Sequence, residues 1–219
     1  MIFEQYDRIV FAGDSVTDNG SGNPVGEEPH QLGSGYVHIV HAMLASYYPE
    51  ITVRVTNSGI SGDTSRMLLA RFQRDVVDLA PQWVSICIGI NDVWRQFDTP
   101  AARDQHVLPE EYHNNIERMI TMIQPTVKGI FLASPYYMVL DKNEPMRARM
   151  DEYTDICRRL AQKHGCVFID FQKMFDQYLA LRTSYSVSFD RVHPNLTGAA
   201  LMAREFLKAF EFDFLHTAL

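Results

Sequence analysis

Four polar clusters in the sequence contain residue types that can carry out nucleophilic chemistry. Three of them follow apolar runs and the fourth precedes the last helical pattern: Gly13-Asp14-Ser15, Asn57-Ser58-Gly59-Ile60-Ser61-Gly62, Gly89-Ile90-Asn91-Asp92 and Asp190-Arg191-Val192-His193. A serine hydroxyl becomes a nucleophile when a neighbouring base takes its proton, and a histidine oriented by a carboxylate is such a base. The clusters together therefore supply the parts needed for acyl transfer.

Each cluster has a candidate role in this chemistry. Ser15 is the predicted nucleophile, His193 the base, and Asp190, three residues earlier, the group that orients the second ring nitrogen. The oxyanion of a tetrahedral intermediate needs hydrogen-bond donors. We expect the backbone N–H groups of Ser15 and Gly59 and the side-chain amide of Asn91 to form this oxyanion hole, because a glycine allows close approach of the backbone to substrate.

The fold must bring these separate segments together. Strand-like apolar runs at residues 9–12, 51–55, 83–88, 129–133 and 167–169 alternate with helical patterns. This alternation predicts parallel β-α-β units with helices on both faces of the sheet. We therefore predict an α/β fold, a flavodoxin-like three-layer α/β/α sandwich around a five-stranded parallel sheet. Without internal repeats or linkers, residues 1–219 are expected to form a single domain.

The carboxyl ends of the strands are where such a sheet binds ligands. The first three clusters all follow predicted strands, so we expect them to converge at this edge of the sheet. Asp190 and His193 lie on a loop before the last helix, from which they can reach Ser15. The predicted fold thus brings all four clusters to one site.

The composition excludes several classes of partner and compartment. The net charge of -7 argues against nucleic acid and anionic membranes as partners, since both attract basic surfaces. No stretch approaches the roughly 20 apolar residues of a membrane span, and no signal-peptide pattern is visible. Three cysteines without a CxxC pair indicate free thiols in a reducing compartment. The sequence therefore predicts a cytoplasmic protein.

Other catalytic motifs fail on specific positions. The G-x-S-x-G motif of α/β-hydrolases would need glycine where Thr17 stands, and no G-x-x-x-x-G-K phosphate loop is present. An aspartyl-phosphate enzyme based on Asp14 would have a second acid where Val16 stands. His38 and His41 have helical i, i+3 spacing, but no acid or third histidine at a suitable spacing completes a metal site. We predict neither a metal nor a cofactor.

The four clusters, in this order, resemble the SGNH (GDSL-type) hydrolase family. The hallmark serine, glycine, asparagine and histidine are matched by Ser15, Gly59, Asn91 and His193, and the resemblance covers nearly the whole chain. Residues 89–98, 145–147 and 190–194 are similar to the acetylxylan-esterase-like branch. This resemblance implies removal of acetyl groups from xylan-derived sugars, no metal, frequent intracellular location and frequent assembly into oligomers.

Aromatic residues near the predicted site suggest how a sugar could bind. Trp94 follows Asn91 by three residues, and Tyr136 and Tyr137 follow the end of a predicted strand. Their rings could contact a sugar, or they could pack in the core or at the rim. In the tail, residues 210–219, apolar and acidic residues alternate like a strand. We expect this tail to lie in a subunit interface of a homo-oligomer; the alternative is that it folds back on its own domain.

These observations predict a serine esterase. The resemblance implies that it removes O-acetyl groups from acetylated xylo-oligosaccharides, which would proceed through an acetyl-enzyme. An alternative within the same fold is a broad short-chain carboxylesterase, thioesterase or lysophospholipase-like hydrolase, which acyl-chain preference would distinguish. An alternative of another class is a non-catalytic, flavodoxin-like binding module. Labelling of Ser15 by a serine-directed phosphonate would separate that module from an enzyme.

Overall fold

A single parallel sheet organises the molecule, and the computed structural model describes residues 1–27, 29–216 and 218. Its strands are β1 (Arg8–Gly13), β2 (Arg54–Gly59), β3 (Trp83–Cys87), β4 (Gly129–Ala133) and β5 (Val167–Ile169). Their order is β2-β1-β3-β4-β5, and all neighbouring pairs are parallel. This is the flavodoxin-like order, so the predicted fold class is confirmed. The apolar run of β1 is buried because helices cover both faces of the sheet.

Helices connect the strands and form the two outer layers. They are α1 (Ser15–Asp18), α2 (Tyr36–Tyr47), α3 (Ser65–Asp75), α4 (Ile90–Asp98), α5 (Pro109–Ile123), α6 (Pro145–His164), α7 (Phe171–Leu179) and α8 (Leu196–Ala209). Helix α2 packs against α8, which also contacts α7. Helix α5 packs against α3 and α6, and α6 also contacts α4. Two separate helix layers therefore enclose the sheet.

Strand β2 lies three residues later in the chain than its pattern predicted. Ile51 donates its N–H to the carbonyl of Tyr48, so residues 51–53 complete a turn after α2. The strand begins at Arg54, which pairs with Arg8 of β1. Residues 57–59 of the polar second cluster are consequently part of the strand, residues 60–62 follow it, and the side chain of Asn57 is fully buried.

The chain passes from β3 into α4 through only two residues. Gly89 has a φ of 129°, and a Cβ there would lie 2.8 Å from the hydroxyl oxygen of Tyr112, so this position requires glycine. The sequence pattern did not predict α4 as a helix. Because α4 begins immediately after Gly89, Asn91 lies in its first turn, at the carboxyl edge of the sheet.

The C-terminal tail is not a strand, so the strand-like prediction is wrong for the part of the tail that is described. Phe210 and Phe212 are buried against the same chain, with ring centroids 4.9 Å from Phe3 and 5.2 Å from Tyr48, respectively. Phe214 remains 45% exposed. Positions 217 and 219 lie outside the described residues. The first part of the tail therefore folds back on its own chain, which was the alternative expectation.

No helix in the described ranges has both the length and the apolar character needed to cross a membrane. All three cysteines, Cys87, Cys157 and Cys166, are free thiols.

Candidate active site

Ser15 begins α1 directly after the end of β1. The side chain of Asp14 caps this short helix by accepting the N–H of Val16 at 3.0 Å. A Cβ at Gly13 would lie 2.5 Å from the carbonyl oxygen of Cys87, so only glycine lets β1 and β3 pack this closely before the turn. The neighbours of Ser15 in α1 are buried, whereas Ser15 is partly exposed. The turn thus fixes the backbone while leaving the hydroxyl accessible.

The three residues of the predicted triad form a continuous chain of hydrogen bonds. The Oγ of Ser15 lies 2.9 Å from Nε2 of His193, and Nδ1 of His193 lies 2.6 Å from Oδ2 of Asp190. When Nδ1 carries the proton and donates it to the carboxylate, Nε2 is free to accept the hydroxyl proton. This is the arrangement that a serine nucleophile needs.

A tight loop holds Asp190 beside His193. The Oδ1 atom accepts the backbone N–H groups of Val192 at 3.0 Å and His193 at 2.8 Å, and the hydroxyl of Ser188 donates to it at 3.1 Å. Partial burial raises the pKa of Asp190, but the hydrogen bonds from His193 and Val192 outweigh it and lower the pKa to about 2. Asp190 is therefore ionised at neutral pH and can hold the imidazole in one orientation.

Asn91 is buried, and its side-chain amide is fixed from two sides. The Nδ2 atom donates to the carbonyl of Asp63 at 2.9 Å, while Oδ1 accepts a weak hydrogen bond from Nη2 of Arg95 at 3.4 Å. This orientation uses one of the two Nδ2 hydrogens. The other has no acceptor among the described residues, so it can serve an oxyanion.

Gly59 does not fit its predicted role in the oxyanion hole. Its N–H already donates to Oδ1 of Asn57 at 2.9 Å, and Nδ2 of Asn57 donates to the carbonyls of Thr17 and Leu32. A Cβ on Gly59 would lie 2.2 Å from the backbone nitrogen of Asp18. Glycine is therefore required here for close packing of β2 against α1, and the prediction of a free donor is wrong.

Gly62 is the residue that the sequence reasoning missed. Its N–H has no acceptor among the described residues, its φ is +89°, and open space surrounds it. The preceding Ser61 donates its N–H to Asp18 of α1 at 3.1 Å, and the carbonyl of the following Asp63 holds Asn91. Gly62 thus lies between two anchored neighbours, Ser61 bonded to α1 and Asp63 bonded to Asn91. The only sequence signal was a second glycine in the same cluster.

Trp94 lies beside the triad, as the sequence suggested for a substrate contact. Its ring centroid is 5.8 Å from that of His193, and the guanidinium of Arg95 lies 5.2 Å from the Trp94 ring. The ring is only partly buried. An aromatic face next to the base is therefore accessible at the mouth of the site.

Tyr136 and Tyr137, which were predicted as possible substrate contacts, lie in different environments. Tyr136 is fully buried, and its hydroxyl donates to the carbonyl of Val192 at 3.0 Å. It supports the catalytic loop from below and cannot contact a substrate, so its predicted role is wrong. Tyr137 is partly buried, and its N–H donates to the side-chain oxygen of Gln172 at 2.7 Å. A substrate contact of Tyr137 stays a prediction.

Two carboxyl groups are enclosed behind the site. Burial raises the pKa of Asp14 to about 7 and the pKa of Asp92 to about 7. Asp92 accepts the backbone N–H of Ser65 at 2.9 Å and also the Ser65 hydroxyl, to which Asn115 donates at 3.0 Å. Asp92 thereby connects the start of α3 to α4, the helix that carries Asn91.

No group of three or more histidine, cysteine, aspartate or glutamate side chains is arranged as metal ligands in the described ranges of the chain. Nδ1 of His38 is engaged with the carbonyl of Gly33 at 2.8 Å, and its ring centroid is 6.5 Å from that of His41.

Comparisons with known proteins place this chain among hydrolases of the same fold. A family described as the GDSL-like lipase/acylhydrolase family matches residues 11–201. An acetylxylan esterase of Geobacillus stearothermophilus is 40% identical over 212 residues, which is 96% of this chain and 97% of that protein. The crystal structure of the Geobacillus stearothermophilus acetylxylan esterase Axe2 superposes with a TM-score of 0.95 at 40% identity, covering 97% of this chain and 98% of the other. LAE5, an α/β hydrolase from the metagenome of Lake Arreo, gives a TM-score of 0.93 at 43% identity, covering 96% of this chain and 98% of its own.

Proposed function

We propose that this chain, which belongs to the GDSL-like lipase/acylhydrolase family, removes O-acetyl groups from acetylated xylo-oligosaccharides. The family match over residues 11–201 confirms the resemblance to SGNH (GDSL-type) hydrolases, and the chain is a carboxylic ester hydrolase. The observation that carries the mechanism is the hydrogen-bonded series from Ser15 through His193 to Asp190. The acetylated sugar as substrate is supported by the 40% identity to an acetylxylan esterase.

In the first half of the reaction, Ser15 attacks the acetyl carbonyl carbon. Nε2 of His193 accepts the hydroxyl proton as the bond forms, and the Asp190 carboxylate stabilises the resulting imidazolium. The tetrahedral intermediate collapses when the imidazolium gives its proton to the sugar oxygen. The C–O bond to the sugar then breaks, and an acetyl-enzyme remains on Ser15.

In the second half, water takes the place of the sugar alcohol. His193 accepts a proton from this water, which attacks the acetyl carbonyl carbon and forms a second tetrahedral intermediate. The proton then returns from the imidazolium to Oγ of Ser15 as acetic acid leaves, and the acid ionises to acetate in water. The enzyme is thereby regenerated.

Three donors are positioned to stabilise the oxyanion in both halves. We assign the backbone N–H groups of Ser15 and Gly62 and the Nδ2 amide of Asn91 to this role, in place of Gly59. Both N–H groups lack an acceptor among the described residues, and Asn91 has one amide hydrogen left over. Donors fixed before the reaction stabilise the developing charge without reorganisation.

We propose that the accessible ring of Trp94 contacts the sugar. The apolar face of a sugar can stack on an aromatic ring, and Trp94 lies beside His193. We further propose a cytoplasmic homo-oligomer. Its support is three free cysteines and a tail in which Phe214 is 45% and Leu215 86% exposed. Light scattering at the mass of one 25.1 kDa chain would contradict the oligomer.

Acetate release from acetylated xylo-oligosaccharides, measured beside Ser15→Ala, tests the proposed function. We expect kcat to fall by roughly 10⁶-fold, as for removal of a nucleophile that acts within a triad. Ser46→Ala, an exposed serine on α2, is the matched control and should retain full activity. Activity in Ser15→Ala would refute the mechanism. Faster turnover of hexanoyl or octanoyl esters than of acetyl esters would favour the broad esterase instead.

A further inference from the structure

We infer that Arg71 is a positioning residue that sets the geometry of the oxyanion hole. This inference rests on the proposed function, because it concerns the transition state of the same reaction. Arg71 lies on α3 and belongs to none of the four sequence clusters. Its side chain is only 9% exposed and extends beneath the carboxyl ends of β1 and β2.

All the N–H donors of the Arg71 guanidinium have acceptors. Nε donates to Asp63 at 2.7 Å, and Nη2 donates to the carbonyls of Gly13 at 3.1 Å and Ser58 at 2.9 Å. Nη1 donates to the hydroxyl of Ser58 at 3.0 Å and, more weakly, to Asp75 at 3.4 Å. A guanidinium has five N–H donors in a rigid plane, so this set of bonds fixes its position fully.

The acceptors of Arg71 adjoin every donor of the proposed oxyanion hole. Gly13 precedes Ser15 by two residues at the end of β1. Asp63 directly follows Gly62, and its carbonyl accepts the amide of Asn91 at 2.9 Å. One side chain therefore joins the end of β1, next to Ser15, to residues 58–63, which contain Gly62. The third donor, Asn91, is linked to Arg71 only through the carbonyl of Asp63.

Charge explains why this site needs a cation. Burial raises the pKa of Asp63, and the hydrogen bond and charge of Arg71 oppose that effect. Hydrogen bonds from Arg74 and then from Arg71 lower the pKa of Asp75. Without Arg71, the buried Asp63 carboxylate loses its counterion and must take up a proton or move towards water. Either change displaces the segment that carries Gly62.

Small displacements of this segment matter for catalysis. Oxyanion donors act only when they lie within about 3 Å of the position that the charged oxygen will occupy. A misplacement of about 1 Å can cost around 10²-fold in rate. Arg71 does not contact the reacting atoms, so its effect should appear in the transition state and not in the binding of the ester.

The test uses Arg71→Ala and Arg71→Lys in the full chain, with 4-nitrophenyl acetate as the substrate. We expect Arg71→Ala to lower kcat by about 10²-fold with little change in KM, as for loss of oxyanion stabilisation. Arg71→Lys should lie between this variant and the original chain, because an ammonium has three donors and cannot reach all the acceptors. If Arg71→Ala does not fold, Arg71→Lys alone decides the matter by its loss of kcat.

Arg74→Ala is the matched control. Arg74 lies one turn of α3 further on and also pairs with Asp75, but its side chain is 71% exposed and bonds no residue at the strand ends. We expect its kcat to remain unchanged. A loss in Arg74→Ala equal to that in Arg71→Ala would mean that any disturbance of α3 slows the enzyme, which would overturn the inference.

Combination with Asn91→Ala separates positioning from a general structural role. If Arg71 acts through the oxyanion donors, the double variant should lose much less than the product of the two single losses. The pH dependence of kcat should be the same in Arg71→Ala and the original chain, because the triad is untouched. Strictly multiplicative losses, or a folded Arg71→Ala or Arg71→Lys with full kcat, would overturn the inference. A fully active Ser15→Ala would instead overturn the proposed function.

Discussion

The two sides of the active site are built in opposite ways. On one side, His193 and Asp190 lie on a surface loop, and their side chains are 45% and 42% exposed. On the other side, Asn91 is buried, and it is held by the carbonyl of Asp63, which is 28 residues away in sequence. On the base side, near neighbours in sequence hold the Asp190 carboxylate, although Tyr136 also supports the loop backbone. The oxyanion side depends on contacts between distant segments.

This difference shows how the protein separates two tasks. The base must exchange protons with substrate and water, so a position on an exposed loop is adequate. The oxyanion donors must not move while charge develops, since reorganisation would consume the stabilisation that they supply. They are accordingly anchored in the core through Arg71, Asp63 and the end of β2.

The largest effect should come from the exposed side, through Asp190→Asn. The amide keeps an oxygen for the backbone N–H groups but presents NH₂ to Nδ1 of His193, so the imidazole takes the wrong tautomer. We expect kcat to fall by about 10⁴-fold. Steady-state hydrolysis of 4-nitrophenyl acetate gives this value.

The control for Asp190→Asn disturbs the same loop without touching the bond to His193. Ser188→Ala removes one hydrogen bond to Oδ1 of Asp190 and leaves Oδ2 in place. Its loss should be far smaller. Equal losses in the two variants would show that loop order, and not imidazole orientation, determines activity on this side.

The buried side should respond more weakly to Asn91→Ala, because two of three donors remain. We expect kcat to fall by about 10²–10³-fold. A phosphonate should still label Ser15, since the base is intact. Gln96→Ala changes the same helix but removes contacts to Asp92 and Tyr153 in the interior, and it should leave kcat unchanged. A loss above 10⁴-fold in Asn91→Ala would place this amide on a par with the triad.

The smallest effect is expected for Asp92→Asn, which replaces a buried carboxyl group and should alter how stability depends on pH. Folded Asp92 keeps its proton up to a pKa of about 7, whereas an ordinary aspartate loses it near 3.8. The folded state therefore binds more protons between these values, and stability falls as pH rises through this window. Asp92→Asn removes this dependence. The free energy of unfolding of the variant minus that of the original chain should therefore increase by about 2–3 kcal/mol from pH 5 to pH 8. Urea unfolding at the two pH values measures it, and a constant difference would contradict the assignment.

The sequence predicted best what depends on local pattern. The apolar run of β1 ending at Gly13 predicted where Ser15 would lie, and the spacing of Asp190 and His193 predicted a short-range pair, which the structure has at 2.6 Å. The parallel sheet between two helix layers follows from the alternation of strands and helices. These features depend on hydrophobic periodicity and on turn-forming residues, both of which are visible in short stretches of sequence.

Features that depend on distant contacts escaped prediction. Gly59 and Gly62 are both glycines of the same cluster, so the sequence does not show which N–H is free. Only the folded position of the Asn57 side chain shows that the N–H of Gly59 is already hydrogen-bonded. Arg71 has the i, i+4 spacing to Asp75 of an ordinary exposed ion pair, so nothing in the pattern indicated its burial. Tyr136 follows a strand end, yet it is fully buried, with its ring against Phe171 and Phe175 and its hydroxyl bonded to Val192. In each case the deciding partner lies elsewhere in the chain.

The hydrogen bond between Ser15 and His193 joins residues that are 178 positions apart. This separation has a consequence for the newly made protein. While the chain emerges from the ribosome, the nucleophile and the anchored oxyanion segments are complete long before the base exists. A nascent chain therefore carries an inert serine until the loop with His193 has been made and has docked, and appearance of esterase activity during synthesis would report that docking.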